Sequence, residues 1–163
     1  MHIMEIESLN SIEPSDAKYV ISKNRGIYFW FDRKTDSLVY IGIAVGVGGL
    51  RRRIVSQHLN PKYLEYRTIK HTEKDHFQLS NAVKRLSKDN KTVRKGIDKS
   101  AFRKSIGRML KLKPGNETVE YIVNNLYVKT HESEDITAIK LLEEKLISEY
   151  QPKFNTTHKH KNA

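Results

Sequence analysis

Gly26-Ile27-Tyr28-Phe29-Trp30-Phe31 and, beyond the polar run Asp32-Arg33-Lys34-Thr35-Asp36, Ser37-Leu38-Val39-Tyr40-Ile41-Gly42-Ile43-Ala44 decide the reading of this chain. Both stretches are rich in β-branched and aromatic residues, and the segment between them is turn-prone. An antiparallel hairpin is expected, with strand one over 25–31 and strand two over 37–44. If the turn closes by pairing Phe31 with Ser37, facing residue numbers sum to 68 and Tyr28 stands opposite Tyr40. Side chains alternate with period two, so a slip of two residues would still leave both hydroxyls on one face. Two tyrosines alone amount to an aromatic cross-strand pair; the rest of the chain has to give them more.

The chain of 163 residues suits one domain with a real core. It has no cysteine, which excludes disulfides and thiolate metal sites and fits a reducing compartment. Its apolar runs are only strand-length and residues 1–16 carry acids rather than a basic, apolar leader, so a cytoplasmic protein without membrane attachment is expected. The formal charge is +11. Between Lys84 and Lys113, twelve Lys and Arg stand against Asp89 and Asp98, and 12 − 2 leaves +10 in this one segment. Such a block attracts a polyanion, and nucleic acid is the first choice because each phosphate contact releases counterions.

Working outward from the hairpin, residues 1–24 form an acidic arm with a short helix expected after Glu13-Pro14. The glycine-rich Gly46-Val47-Gly48-Gly49 leads into a helix over 50–59, which Asn60-Pro61 ends, and no Gly-Lys-Ser/Thr follows to make a phosphate loop of the Walker kind. Helices are expected over 76–87 and, from the N-cap Ser100, over 100–112, where Pro114-Gly115 stops the chain. On the latter, Phe102, Ile106 and Met109 recur as an apolar stripe beside a basic stripe of Lys104, Arg108 and Lys111, the residues expected to meet a phosphate backbone. A third strand is expected over 119–128 and a last helix from about Ser133 to Tyr150, leaving 156–163 as a disordered tail. The fold class is α+β, with a small antiparallel sheet and flanking helices.

The last helix holds a misplaced charge. At about 100° per residue with Ile139 as origin, Leu142, Leu146, Tyr150, Ile136 and Ile147 span one stripe, and Glu143 falls at about 40°, inside it. A carboxylate there must be paired, hydrogen-bonded or holding a metal, and these readings weigh equally. On the helix after the glycines, Arg51-Arg52-Arg53 could be a charged face and His58 an ordinary hydrogen-bonded histidine.

In their order, Gly26-Ile27-Tyr28, Tyr40-Ile41-Gly42, an arginine-bearing helix, and Glu143-Glu144-Lys145-Leu146-Ile147-Ser148-Glu149-Tyr150-Gln151-Pro152-Lys153-Phe154-Asn155 resemble the GIY-YIG nuclease family. The resemblance runs over 25–155, with the basic segment at about 60–115 as an insertion. It implies a central sheet of about three strands and a metal-dependent endonuclease that hydrolyses phosphodiester bonds by water attack on phosphorus. DNA is implied in preference to RNA, cut by a monomer or a homodimer. Glu143 matches the family's ligand for Mg2+ or Mn2+, a hard cation suited to one carboxylate supplemented by water and phosphate oxygen. Tyr28 would activate the water, Tyr40 orient the phosphate, Arg53 stabilise its charge, His58 contact the phosphate or assist proton transfer, and Asn155 position the closing segment. Members with this histidine place it four residues after the arginine, whereas His58 follows Arg53 by five. Either a helical bulge absorbs the extra residue or Arg51 or Arg52 takes the catalytic position. The competing readings are a nucleic-acid-binding module without catalysis and a subunit active only with a partner.

Overall fold

The computed structural model describes residues 1–67, 76–86 and 93–159. The hairpin forms as β1 (Gly26–Asp32) and β2 (Leu38–Ala44). β1 is the centre of a three-stranded antiparallel sheet in the order β2-β1-β6, with β6 at Leu126–Glu132. Residues 26–31 are all buried, because both faces of β1 are apolar and each is covered. On one face Tyr28 and Trp30 pack with Leu50, Ile54, Phe102, Ile106 and Phe154. On the other, Ile27, Phe29 and Phe31 meet Ile6, Leu146 and Ile147.

The register differs from the expected one by two residues. Phe31 faces Leu38 rather than Ser37, and a bulge then leaves Val39 unopposed, so that Trp30 faces Tyr40 and Tyr28 faces Gly42. The turn itself adds the first step: Asp32 Oδ1 accepts the Lys34 and Thr35 N–H groups at 2.9 and 3.0 Å, and Asp36 takes a left-handed φ of 54°. Because the slip is even, both tyrosines keep the same face.

The N-terminal arm contributes α1 (Ile3–Glu7), a 3₁₀ turn at Pro14–Asp16 and α2 (Ala17–Val20). Ile12 bridges to Val128, and Ile6 is buried in the core, so the arm is part of the packed structure. After the glycine loop, α3 (Gly49–Arg51) continues directly as a π-helix, Arg52–His58. The expected helix over 50–59 is therefore present but wound with i→i+5 bonds, as in Leu59 N–H to Ile54 O at 2.9 Å.

Two expected elements are of another kind. The helix placed over 76–87 is α4 (His76–Ser80) followed by strand β4 (Val83–Leu86), while Ser87 lies outside the described residues. Residues 119–125, expected as the start of a third strand, belong to α6 (Asn116–Asn125), and the strand begins only at Leu126. Thr118 and Ile122, four apart, are the buried residues of α6, a helical spacing that outweighs the β-branched composition. The basic segment holds a second three-stranded antiparallel sheet, β3 (Leu64–Arg67), β5 (Val93–Asp98) and β4 in the order β3-β5-β4. The helix from Ser100 is α5 (Ala101–Leu110), with Phe102 and Ile106 buried and Met109 exposed. The last helix is α7 (Ile136–Tyr150), capped by Asp135, whose side chain accepts Ala138 N–H at 3.0 Å.

Beyond α7, residues 152–155 return to the edge of β2, where Phe154 N–H bonds Val39 O at 2.9 Å. Of the tail expected to be disordered, residues 160–163 lie outside the described residues, and Lys159 Nζ donates to Pro152 O at 3.0 Å. Among the described residues no helix is long and apolar enough to cross a membrane.

Candidate active site

Tyr28 is seated by Gly42. A Cβ on residue 42 would stand 2.3 Å from the Tyr28 ring and hydroxyl, so only glycine lets the phenol lie across β2. The Tyr28 and Tyr40 ring centroids are 6.3 Å apart, and Tyr40 stacks on Phe102 at 4.4 Å. The two tyrosines meet diagonally rather than face to face.

The Tyr28 hydroxyl lies 2.6 Å from His58 Nε2, and His58 Nδ1 lies 2.8 Å from Ser100 Oγ. Ser100 also caps α5, accepting Arg103 N–H at 3.2 Å. In the π-helix Ile54 and His58 are the buried residues, whereas Arg53 is exposed. Burial pushes the His58 imidazole well below its usual range, and the Arg53 and Arg103 guanidiniums push it further the same way. His58 is thus a neutral ring that can accept a proton at one nitrogen. Burial also raises the Tyr28 and Tyr40 hydroxyls well above the usual phenol value. For Tyr28 the neighbouring Tyr40 and for Tyr40 the Glu143 carboxylate add to that rise, and Arg53 opposes it in both.

Arg53 is exposed and is the one arginine of the triplet whose charge acts on Tyr28, Tyr40, His58 and Glu143. Arg51 instead donates to Lys18 O, and Arg52 to Val47 O at 3.3 Å. Arg52 and Arg53 flank a concavity of about 150 Å³ that opens between the helix and the loop residues Gly46 and Val47.

Glu143 is half-buried and makes no hydrogen bond or ion pair among the described residues. Burial raises its carboxyl above the usual range, with His158 and Arg53 opposing. Asn155 is buried and fully engaged: its Oδ1 accepts Ile41 N–H and its Nδ2 donates to Ile41 O, both at 2.9 Å. It therefore clamps the closing segment to β2, beside Tyr40. No group of three or more His, Cys, Asp or Glu gathers among the described residues, so Glu143 is a lone carboxylate donor.

Tyr28, Tyr40, Arg53, His58 and Glu143 thus share one site, with Asn155 on its frame. Lys104, Arg108 and Lys111 do not join it. Lys104 pairs with Glu65 at 2.8 Å, Arg108 is half-buried, and Lys111 is the left-handed cap of α5 with its ammonium 5.5 Å from the Phe77 ring centroid. Arg103, counted in the basic block, is wholly buried against Asp98 at 2.5 Å. Sequence reasoning found Ser100 only as a cap and missed its bond to His58. That bond crosses 42 positions, and no local pattern signals it.

Comparison with known proteins adds nothing to this geometry: no family model matches the chain, and neither does any curated protein or solved structure.

Proposed function

We propose that the chain is a GIY-YIG-type endonuclease that hydrolyses phosphodiester bonds of DNA with the help of a divalent cation. The observation that carries this reading is the gathering of Tyr40, Arg53, Glu143 and His58 around the Tyr28 hydroxyl, at residues that the family order had marked in advance.

Glu143 fits a hard cation. It is a half-buried carboxylate with no hydrogen-bond or ion-pair partner among the described residues, and a lone carboxylate suits Mg2+ or Mn2+, which keep most of their coordination for water and phosphate. The cation would supply charge stabilisation at the phosphate.

The chain's own residues supply the proton path. A free phenolate on Tyr28 is disfavoured, so Tyr28 cannot wait as a base. It can pass its proton to His58 Nε2, 2.6 Å away, while taking one from the attacking water. The water's O–H bond breaks as its oxygen bonds phosphorus, and the P–O bond to the leaving sugar oxygen breaks; the phenol ends protonated, and because burial and the two guanidiniums disfavour an imidazolium at His58, the proton it takes is held only in passing and ends on the leaving oxygen. That transfer requires Nδ1 of His58 to carry its hydrogen toward Ser100, leaving Nε2 as the acceptor. Tyr40 offers its hydroxyl to a non-bridging phosphate oxygen, and Arg53, exposed at the mouth, neutralises charge that builds there.

The test is cleavage of supercoiled plasmid, single-stranded DNA and RNA, with and without magnesium, by wild type and Glu143→Ala. Wild type is expected to cut DNA only with the cation, and Glu143→Ala to lose at least a hundredfold in rate while still binding. Binding without metal-dependent cleavage of any substrate would leave the chain a nucleic-acid-binding module.

A further inference from the structure

Four cations of the inserted segment face one another in pairs across a ribbon that the sequence did not reveal. In the register of β4 and β5, Lys84 faces Lys95 and Arg85 faces Arg94. All four are exposed. Alternation along the strands puts the lysine pair on one face and the arginine pair on the other. Like charges directly opposite across an antiparallel ladder destabilise it, and here two successive rungs are of this kind. No carboxylate among the described residues pairs with any of the four. Arg85 instead lies over the Tyr66 ring, 5.3 Å from its centroid, which holds its guanidinium on the arginine face.

Lysine on an edge strand also deters edge-to-edge aggregation. That purpose is served by charge on β4 alone, and would be served as well by acids opposite on β5. Cations on both strands and both faces call for anions on both sides of the ribbon.

We propose that the second sheet is a DNA-binding element that enters the major groove of a duplex by its β4 edge, with β4 and β5 in the groove, β3 outside it on the far side of β5, and the two cationic faces turned to the two flanking backbones. A single strand laid on a sheet would need one cationic face only. The major groove of B-form DNA, about 12 Å wide, admits a two-stranded ribbon. The deep, narrow major groove of an A-form RNA duplex does not. This inference rests on the nucleic-acid half of the proposed function and names the substrate as duplex DNA; it does not depend on the catalytic assignment.

The experiment is fluorescence anisotropy in magnesium-free buffer, with a DNA duplex, an RNA duplex and a single strand of equal length, over a range of salt. Wild type is expected to bind the DNA duplex most tightly. R94E/K95E, which sets an acid opposite Arg85 and Lys84, is expected to lose at least tenfold in duplex affinity and to flatten the slope of log K against log salt by about two. The same variant is expected to melt at a higher temperature than wild type, because two repulsive rungs become attractive. R94K/K95R, which keeps the charges, should bind within twofold of wild type. Duplex affinity within twofold of wild type in R94E/K95E, or tighter binding of the RNA duplex or the single strand by wild type, overturns the proposal. A protein that binds through the ribbon and never cuts sinks the nuclease reading alone. One that cuts with ribbon variants of unchanged affinity sinks this one alone.

Discussion

Gly42 and Tyr28 show how closely a single residue can be tied to a site. The missing side chain at 42 is the space the phenol occupies, with 2.3 Å between a would-be Cβ and the ring. Gly42→Ala must displace Tyr28 or the strand, and overpacking of this kind costs about 1–3 kcal/mol. It should lower the urea midpoint and abolish the Tyr28–His58 bond, observable as loss of cleavage without loss of DNA affinity. Ser100 carries two duties with one oxygen. Ser100→Ala is expected to cost about 1 kcal/mol through the lost cap. It should also release the His58 tautomer, readable from the imidazole ¹⁵N shifts, whereas Ser100→Thr keeps the hydroxyl and should preserve both. Among site residues, Glu143 was legible because a charge inside an apolar stripe is conspicuous without knowledge of the fold. Ser100 was not, because its partner is on another element.

Elements were legible where one period dominates. The hairpin shows two apolar, β-branched and aromatic runs split by a turn-prone segment, α5 and α7 each show a helical stripe, and the sequence placed them to within a few residues. The chain over 116–125 misled because Val119, Tyr121, Ile122 and Val123 favour strands, while only burial of Thr118 and Ile122 reveals a helix. The second sheet was unreadable because its strands are four to six residues long and pair with one another across the segment. Across the π-helix the exposed Arg53 still acts electrostatically on the buried His58 five positions on. Deleting the exposed Ser56 should convert the i→i+5 winding to i→i+4 and keep Arg53 and His58 within reach of one another. Inserting an alanine there should rotate His58 away by about 100°. Cleavage by the deletion variant, and its loss in the insertion variant, is the expected pair of outcomes; the reverse pair would show that helix winding does not set the site.

At the scale of the whole molecule, a buried polar joint fastens the inserted segment to the helix that carries His58. Asp98 accepts Arg103 Nη2 and Gly115 N–H through Oδ1, at 2.5 and 2.9 Å. Its Oδ2 accepts Gln78 Nε2 and Thr118 Oγ1 at 2.7 and 2.9 Å. Arg103 in turn donates to Gln57 O and Asn60 O at 2.8 and 2.6 Å, at the end of the π-helix that carries His58. Removing one partner of a buried pair leaves the other charge uncompensated, at about 3–5 kcal/mol. Asp98→Ala should therefore lower the unfolding free energy in urea by that amount and disturb His58 as well. A loss under 1 kcal/mol would mean that the joint does not bind the two parts together.

The clamp between Asn155 and Ile41 closes a loop of 114 positions. During synthesis, at about 5–20 residues per second, β1 and β2 leave the ribosome several seconds before the segment that clamps them. The tyrosines are made early and the carboxylate late, so a nascent or C-terminally truncated chain lacks the complete site. In a protein whose proposed activity is cutting DNA, chain order thereby acts as a safety catch, released only when translation has passed Asn155.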